Sequence, residues 1–548
     1  MDTLNSLADE YFDTAMSADP MGQMWNGKID NLADWNDFSP EAIATRRARY
    51  LDIEGRAAAI DVKGDPAAQA LRDSVATGAR ALALHEPWDA ELFRVNPKMG
   101  MFEMCLSFIG NYPLATAAHG ELYLTKLRGM AGAFAHLIEV ARAAQAEGRV
   151  ALQRHLTATA DSVDAYLATP PGRDERLCSQ AAPTDLDDPA AEAWRTERDA
   201  IVATQVRSGL EKYRDALRDL ATHGQPDDKP GLCHFDGGLE VYRDKMWSHL
   251  LTDHTPQQVH QIGLDKIAEL EDEYRALGST LFGTSDVSEV YARLRDDASL
   301  HYTSAATIVA DAEAALERAN AAAPDWFATL PTSACTAHAT EFGAMAYYSA
   351  PDPKTGKQGS FYFNTSRPEA WCTYELEAIT FHEAIPGHHL QLALNAENPA
   401  LHRVQRELFN TAYAEGWGLY TERLADEMGL YSSDLARMGM LSADSLRACR
   451  LVVDTGMHAL GWSRDQAIQY MVDHSPMDRG HVEAEVDRYI GLPGQALAYM
   501  IGRLEILSVR EEAQSLPGYD VKLFHDLVLR YGAVPLPTLR ALVLGGIA

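Results

Sequence analysis

The sequence predicts a large, mainly α-helical protein with a small β-hairpin or sheet. Apolar residues recur at i, i+3, i+4 and i+7 across long segments, such as residues 40–62, 122–146 and 191–221. Residues 345–366 differ, because aromatic, β-favouring runs flank a loop rich in Pro, Gly and Lys, the pattern of a hairpin. No repeat of about 20–50 residues is visible, which argues against a solenoid.

The composition is that of a globular protein with a sizeable core. The chain has 548 residues, 46% of them apolar, and is too long for one small domain. Its six cysteines are scattered without a C-x-x-C pair and are expected to be reduced thiols. No run of about 18 apolar residues occurs, and the first residues are acidic and amphipathic. We therefore expect a cytoplasmic protein that does not span a membrane.

Charge excludes one class of partner. The formal net charge is −31, from 48 basic and 79 acidic residues. Nucleic-acid binding depends on Lys and Arg that neutralise phosphates, so DNA and RNA are not expected partners. The sequence does not indicate an oligomeric state.

Two turn-rich breaks, at residues 169–190 and 222–238, interrupt the helical pattern. The second predicts a boundary between an N-terminal helical region, 1–235, and a region, 236–548, that carries the chemical motifs. The two regions are expected to form one continuous fold.

The central motif is the segment 380–394, TFHEAIPGHHLQLAL. It starts like a zinc-peptidase helix, with His382 followed by Glu383, but Pro386 stands where H-E-x-x-H requires its second histidine. In a straight helix, histidines six or seven residues later lie roughly 9–10 Å further along the axis. Because proline cannot donate to the preceding turn and crowds it, we predict that the helix breaks or bulges over residues 384–387.

A break there would bring His388 or His389 back towards His382. His388 is preferred because it needs the smaller insertion, and His389 remains the alternative. A catalytic zinc ion usually has three protein ligands and one open position. A second predicted helix after a turn offers Glu415 as the third ligand, with Glu422 in reserve.

Glu383 directly follows the candidate ligand His382, and this position predicts a catalytic role for it. Beside the first ligand, its carboxylate would be the general base that activates the zinc-bound water and passes the proton to the leaving amine. The sequence therefore predicts one Zn²⁺, held by His382, His388 and Glu415.

The motifs FHEAIPGHHLQ and AEGWGLY resemble the bacterial family known as domain of unknown function 885. That family is similar to gluzincins, the zinc peptidases with a glutamate third ligand, such as thimet oligopeptidase, angiotensin-converting enzyme and Taq-type carboxypeptidases. The resemblance extends over most of the chain and includes FYFNTSRPEAW and EVDRYIGLPGQALAYMIG. It implies a large helical metallopeptidase-like fold with a deep substrate cleft and a β-hairpin near the active site.

The resemblance also implies roles for individual residues. The hairpin would hold an extended substrate at an edge strand by β-augmentation, through Phe361, Tyr362 and Asn364. Further polar groups would face the cleft. His458, Tyr489 or Tyr499 would supply an oxyanion donor or another catalytic group. Arg488 and His389 would contact the substrate.

The predicted function is a zinc-dependent hydrolase of amide or peptide bonds in short peptides. A zinc amidohydrolase of a small non-peptide amide is the alternative, because it would use the same metal, base and oxyanion donor. A non-catalytic metal-containing binding protein is a third possibility, against which the presence of Glu383 argues.

Overall fold

Helices make up most of the part of the chain that the structure describes. The structure is a computed structural model, and it describes residues 2–25, 29, 31–110, 112–172, 176–341, 344–408 and 410–548. The helices that precede the sheet are α1 Asp2–Ala18, α2 Pro20–Trp25, α3 Pro40–Ala58, α4 Pro66–His85, α5 Met101–Phe108, α6 Ala117–Ala146, α7 Gln153–Ala168, α8 Asp188–Ile201, α9 Arg207–Ala221, α10 Gly238–Leu250, α11 Pro256–Phe282, α12 Val287–Asp296 and α13 Ala305–Trp326.

The helices after the sheet carry the motifs. They are α14 Leu376–Glu383, α15 His388–Glu397, α16 Arg403–Glu407, α17 Thr411–Glu427, α18 Asp434–Ala459, α19 Arg464–Asp473, α20 Arg479–Gly491, α21 Ala498–Gln514, α22 Val521–Leu529 and α23 Leu536–Ile547. The mainly α-helical class predicted from the sequence is confirmed.

Helix boundaries follow local chemistry. The long helix α11 is capped by Thr255, whose hydroxyl accepts from the backbone N–H of Gln258 while the Gln258 side chain accepts from the Thr255 N–H. This reciprocal capping satisfies two backbone donors that the helix start leaves without partners. The helix ends at Gly283, whose φ of +69° is readily adopted only by glycine.

A three-stranded sheet lies between α13 and α14. Its strands are β1 Cys335–Thr340, β2 Ala346–Ser349 and β3 Gly359–Asn364, in the order β1-β3-β2. Strands β2 and β3 pair antiparallel, which confirms the predicted hairpin, whereas β1 adds in parallel and was not predicted. The β3 side chains of Phe361 and Phe363 are fully buried and pack towards α13 and α14.

The apolar cores partly follow the predicted boundary. One core is formed mainly by side chains of α2 and of α5 to α9, and the largest is formed mainly by α10 to α23. However, Ala70 and Leu152 join the larger core, and Val404 joins a third core formed by α1, α3 and α4. The two regions thus share apolar contacts, and their division after residue 235 stays a prediction.

One buried carboxyl group joins three elements of the larger region. Asp454 of α18 is 0% exposed and accepts from the Tyr242 hydroxyl of α10 at 2.6 Å. It also accepts from the backbone N–H of Gly494, just before α21, at 3.1 Å. Burial raises the pKa of Asp454 from 3.8 to about 7, although both hydrogen bonds act in the opposite direction.

This pKa predicts how stability depends on pH. Because the folded carboxyl keeps its proton to higher pH than the unfolded one, its contribution is complete below about pH 4 and is lost as the pH rises through about 7. The free energy of unfolding of the wild type, relative to Asp454→Asn, should fall by up to about 1.4 kcal/mol per pH unit in that window. Urea denaturation between pH 5 and 8 measures it. Asp272→Asn, at an exposed position, is the control, and parallel profiles for the wild type and Asp454→Asn would contradict the prediction.

Candidate metal centre

The helix that begins the motif is interrupted, as predicted from its proline. Helix α14 ends at Glu383, residues 384–387 form a turn, and α15 begins at His388. The carbonyls of Pro386 and Gly387 accept from the indole N–H of Trp417 on α17, at 3.1 and 3.2 Å. A Cβ on Gly387 would lie 1.9 Å from the His382 carbonyl oxygen, so a larger residue cannot fit this turn.

The turn brings two histidines and a glutamate together. Donor atoms of His382, His388 and Glu415 all lie within 4.8 Å of one another. Glu415 Oε2 is 3.4 Å from His382 Nε2 and 3.5 Å from His388 Nε2, and the two imidazole rings meet nearly at right angles, at 87°. Of the two late histidines, the structure thus places His388 in the cluster.

These distances suit tetrahedral coordination of one small cation. Zinc binds histidine nitrogen and carboxylate oxygen at about 2.0–2.2 Å, which separates two tetrahedral ligands by about 3.4 Å. The two measured separations from the glutamate oxygen match this value. Two imidazoles and one carboxylate are also a donor set of catalytic zinc sites. The residues present therefore fit a zinc ion.

Glu422, the reserve ligand, lies at the other side of the first imidazole. Its Oε1 is 2.7 Å from His382 Nδ1, and its side chain is 1% exposed. A carboxylate at this position fixes the ring orientation and leaves Nε2 for a metal. Gly418, between the two glutamates on α17, permits the approach, because a Cβ there would lie 2.7 Å from the His382 ring.

The two glutamates dominate the electrostatics of His382. Burial alone would lower the pKa of this imidazole, but Glu415 and Glu422 outweigh burial and raise it to about 9. Burial acts to raise the pKa of Glu415, but the histidines hold it well below its usual range. A positive charge between these donor atoms, either a proton or a cation, is therefore stabilised.

Glu383 lies beside this cluster on the last turn of α14. Its side chain is half-buried and makes no hydrogen bond or ion pair with the residues that the structure describes. Its carboxylate lies within electrostatic range of His382 and of Cys335 on β1 and raises the pKa of both groups. A carboxylate without a protein partner is available to a water molecule or a substrate.

His389 points away from the cluster and ties α15 to the sheet. Its Nε2 is 3.0 Å from the Ser333 carbonyl, so this nitrogen carries the proton and donates. Nδ1 then accepts from the Tyr348 hydroxyl of β2, at 2.8 Å. Burial lowers the pKa of His389 to about 4, which keeps the ring neutral. Sequence reasoning missed Tyr348, since nothing local links it to His389.

Two of the polar groups predicted to face a cleft are instead buried and occupied. His458 is 0% exposed; its Nδ1 accepts from the Leu232 N–H, and its Nε2 donates to the Tyr489 carbonyl. The Tyr489 side chain is also 0% exposed, and its hydroxyl donates to Glu485 while accepting from Arg450. The expectation that these side chains face a cleft is thereby corrected, and neither has a free polar atom for a substrate.

Arg488 and Tyr499 are more accessible. Arg488 is half-buried, pairs with Glu485 and donates to the Gln495 side chain. Tyr499 is half-buried at the start of α21 and lies within electrostatic range of Glu415. Of the three predicted oxyanion donors, Tyr499 is thus the one that is partly accessible and within electrostatic range of the cluster.

The predicted substrate strand needs correction. Phe361, Tyr362 and Asn364 belong to β3, which is the central strand and pairs on both sides, so it is not an edge strand. Phe361 is 0% exposed and belongs to the core. Tyr362 lies on the opposite face, stacked between the rings of His338 and Tyr347. The edges of the described sheet are β1 and β2.

Comparison with known proteins identifies the family. The model of the family described as "Bacterial protein of unknown function (DUF885)" matches residues 20–543. The chain belongs to this family. A search of curated proteins finds no match.

Two solved structures share the fold of this DUF885 protein. A "putative lipoprotein" from Colwellia psychrerythraea has 26% sequence identity and a TM-score of 0.89, and the match covers 99% of this chain and 98% of that one. A "putative lipoprotein of unknown function" from Shewanella oneidensis has 20% identity and a TM-score of 0.76, with 99% of each chain covered. Among the described residues, no helix has the length and apolar character to cross a membrane.

The contact between Trp417 and the turn generates a prediction. Trp417→Phe keeps a large ring but leaves the two buried carbonyls of residues 386 and 387 without their indole donor, which should cost about 1–3 kcal/mol. The imidazole NMR signals of His382 and His388 should also shift, because the turn sets their relative position.

Tyr413→Phe is the matched control. Tyr413 lies on the same helix, but its buried hydroxyl donates to the Val528 carbonyl of α22 and not to the turn. This variant should lose stability to urea but leave the imidazole signals in place. Unchanged signals in Trp417→Phe would show that the turn does not depend on the indole.

Proposed function

We propose that this DUF885 protein is a zinc-dependent hydrolase of amide bonds that acts on short peptides. The observation that supports it best is that the donor atoms of His382, His388 and Glu415 lie within 4.8 Å of one another, beside the carboxylate of Glu383, which has no partner among the described residues. A purely structural zinc site has four protein ligands and needs no neighbouring base.

Each residue has a distinct task in this proposal. His382, His388 and Glu415 hold the zinc ion, and Glu422 fixes the orientation of the His382 ring. A bound zinc ion would supply Lewis-acid activation of water and of the scissile carbonyl. Glu383 takes the proton from the attacking water and returns it to the leaving nitrogen.

The charge that develops on the carbonyl oxygen needs a donor. Tyr499 is suited to this task, because it is half-buried and within electrostatic range of Glu415. Burial and the charge of Glu415 raise the pKa of Tyr499, so its hydroxyl keeps the proton that it must donate.

An extended peptide has a place to bind. Strand β2 is an edge of the described sheet and contains Tyr348. The Tyr348 hydroxyl is hydrogen-bonded to His389, the residue after the candidate ligand His388. A peptide backbone can add to such an edge by hydrogen bonding. This moves the proposed β-augmentation from β3 to β2.

The metal content tests the ligand set. The variants His382→Ala and Glu415→Ala should lose zinc at a chelator concentration at which the wild type keeps it. The reason is that two ligands bind zinc far more weakly than three. Metal analysis after dialysis measures this. His389→Ala, which changes the adjacent histidine outside the cluster, should retain its zinc. Full occupancy in both ligand variants would remove the site from consideration.

The role of Glu383 separates an enzyme from a binding protein. Glu383→Gln keeps the size of the side chain but removes the base, so zinc content and folding should persist while turnover falls by at least about 10²-fold. A library of short peptides with free and blocked termini, together with small non-peptide amides, identifies the substrate and the bond cleaved. Wild-type turnover by Glu383→Gln would show that this carboxylate is not the base.

A further inference from the structure

Two arginines share one carboxylate on the Tyr499 side of the candidate metal centre. Glu485 of α20 accepts from Arg450 Nη2 of α18 at 2.8 Å. It also accepts from Arg488 Nε and Nη2 at 3.1 and 3.0 Å, and from the Tyr489 hydroxyl at 2.6 Å. One negative charge therefore serves two guanidinium groups.

The charge of Arg450 is buried and incompletely paired. Arg450 is 6% exposed, and its Nε donates to the Tyr489 hydroxyl at 2.9 Å. Its Nη1 is buried and has no hydrogen-bond partner among the described residues. Buried charges in proteins are normally paired and hydrogen-bonded, since an unpaired one is costly. Arg450 Nη1 therefore has no acceptor among the described residues, and a bound ligand could supply one.

A third arginine repeats the pattern one turn earlier on α18. Arg447 Nη2 is 3.7 Å from Glu422 Oε1, the same oxygen that binds His382 Nδ1 at 2.7 Å. Its Nε is also buried without a described partner. Arg447, Arg450 and Arg488, here named the arginine cluster, thus face Glu485 and the shared Glu422, and positive charge is in excess.

The arginine cluster borders the candidate metal centre. The Tyr499 ring lies 4.5 Å from Arg450 Cζ and 5.9 Å from Arg447 Cζ, and Tyr499 is within electrostatic range of Glu415. The side chains of Arg447 and Arg488 are 15% and 19% exposed, so the cluster is not sealed from ligands.

We propose that the substrate carries a carboxylate and that Arg447 and Arg450 bind it beside Tyr499. Guanidinium groups match carboxylates in shape and charge, and an ionised acceptor would pair the free N–H groups. The proposal rests on the proposed function in treating this ligand as the substrate. The carboxylate comes from either the C-terminus of a peptide or an acidic side chain, and the experiment distinguishes these sources.

The test measures binding to the metal-free protein, so that it depends on neither zinc nor turnover. The probes are N-acetylated dipeptides that vary in the C-terminal residue, each as the free acid and as the amide. Calorimetry should show that the best acids bind at least about tenfold more tightly than their amides, as expected for a charge-assisted contact. Amides that end in Asp or Glu and bind as tightly as the acids would identify a side-chain carboxylate as the recognised group.

Variants assign the effect to the arginines. Arg450→Gln should remove the preference for a carboxylate, and Arg447→Gln, a change at a less buried position that disturbs folding less, should reduce it. Arg464→Gln is the matched control, because Arg464 is about as buried as Arg450 but donates from both Nε and Nη2 to Asp487. This variant should keep the preference for a carboxylate. Circular dichroism checks that each variant folds.

Three results would overturn this inference: equal binding of acids and amides with no advantage for probes that end in Asp or Glu, a carboxylate preference that persists in both cluster variants, or no binding of any acid. None of them bears on the zinc content or on the effect of Glu383→Gln. Conversely, acid binding by a protein without hydrolytic activity would leave the carboxylate site in place and reject the proposed function.

Discussion

The turn between α14 and α15 is the constraint on which the candidate site depends. In a continuous helix, His382 and His388 would lie about 9 Å apart along the axis and could not share a ligand. The interruption after Glu383 folds the second histidine back, and the indole of Trp417 satisfies the carbonyls that the turn exposes. Helix α17 thus fixes the turn with Trp417 and supplies the carboxylate of Glu415, so two parts of the site share one rigid element.

The same helix determines the electrostatics. Glu415 and Glu422 are two turns apart on one face of α17, and the His382 ring fits between them over Gly418. Both ring nitrogens therefore meet a carboxylate, which is why the pKa of His382 rises to about 9 despite burial. A divalent cation would compete with a proton for Nε2, so metal affinity would depend on pH, as it does wherever a ligand must lose a proton.

The sequence allowed prediction where the signal was local. Proline at position 386 predicted the interruption, hydrophobic periodicity predicted the helices, and aromatic runs around a loop predicted the pairing of β2 with β3. Strand β1 was missed because it is short, mixes Ala, Thr and His, and pairs with a strand about twenty residues later in the chain. That parallel pairing makes β3 central, which no local pattern could indicate.

Tertiary packing accounts for the other differences. Histidine and tyrosine have the same sequence signature whether they face a cleft or bind backbone within a core. His458 binds backbone groups and Tyr489 binds the Glu485 and Arg450 side chains, both within the core. Tyr499, one helix later, is half-buried and lies within electrostatic range of Glu415. The roles of Glu422, Tyr348 and the arginine cluster depend on contacts between helices or between a helix and the sheet, so spacing along the chain does not predict them.

The arrangement around Glu383 supports the catalytic role proposed above better than storage or structural binding of a metal. A site that only holds an ion gains from enclosing it with four protein ligands. Here the described cluster offers three donors, and the neighbouring carboxylate, instead of completing the set, stands beside it without a protein partner. A carboxylate without a protein partner adds little to folding stability, so its position beside the donors agrees better with the proposed chemistry than with a structural role.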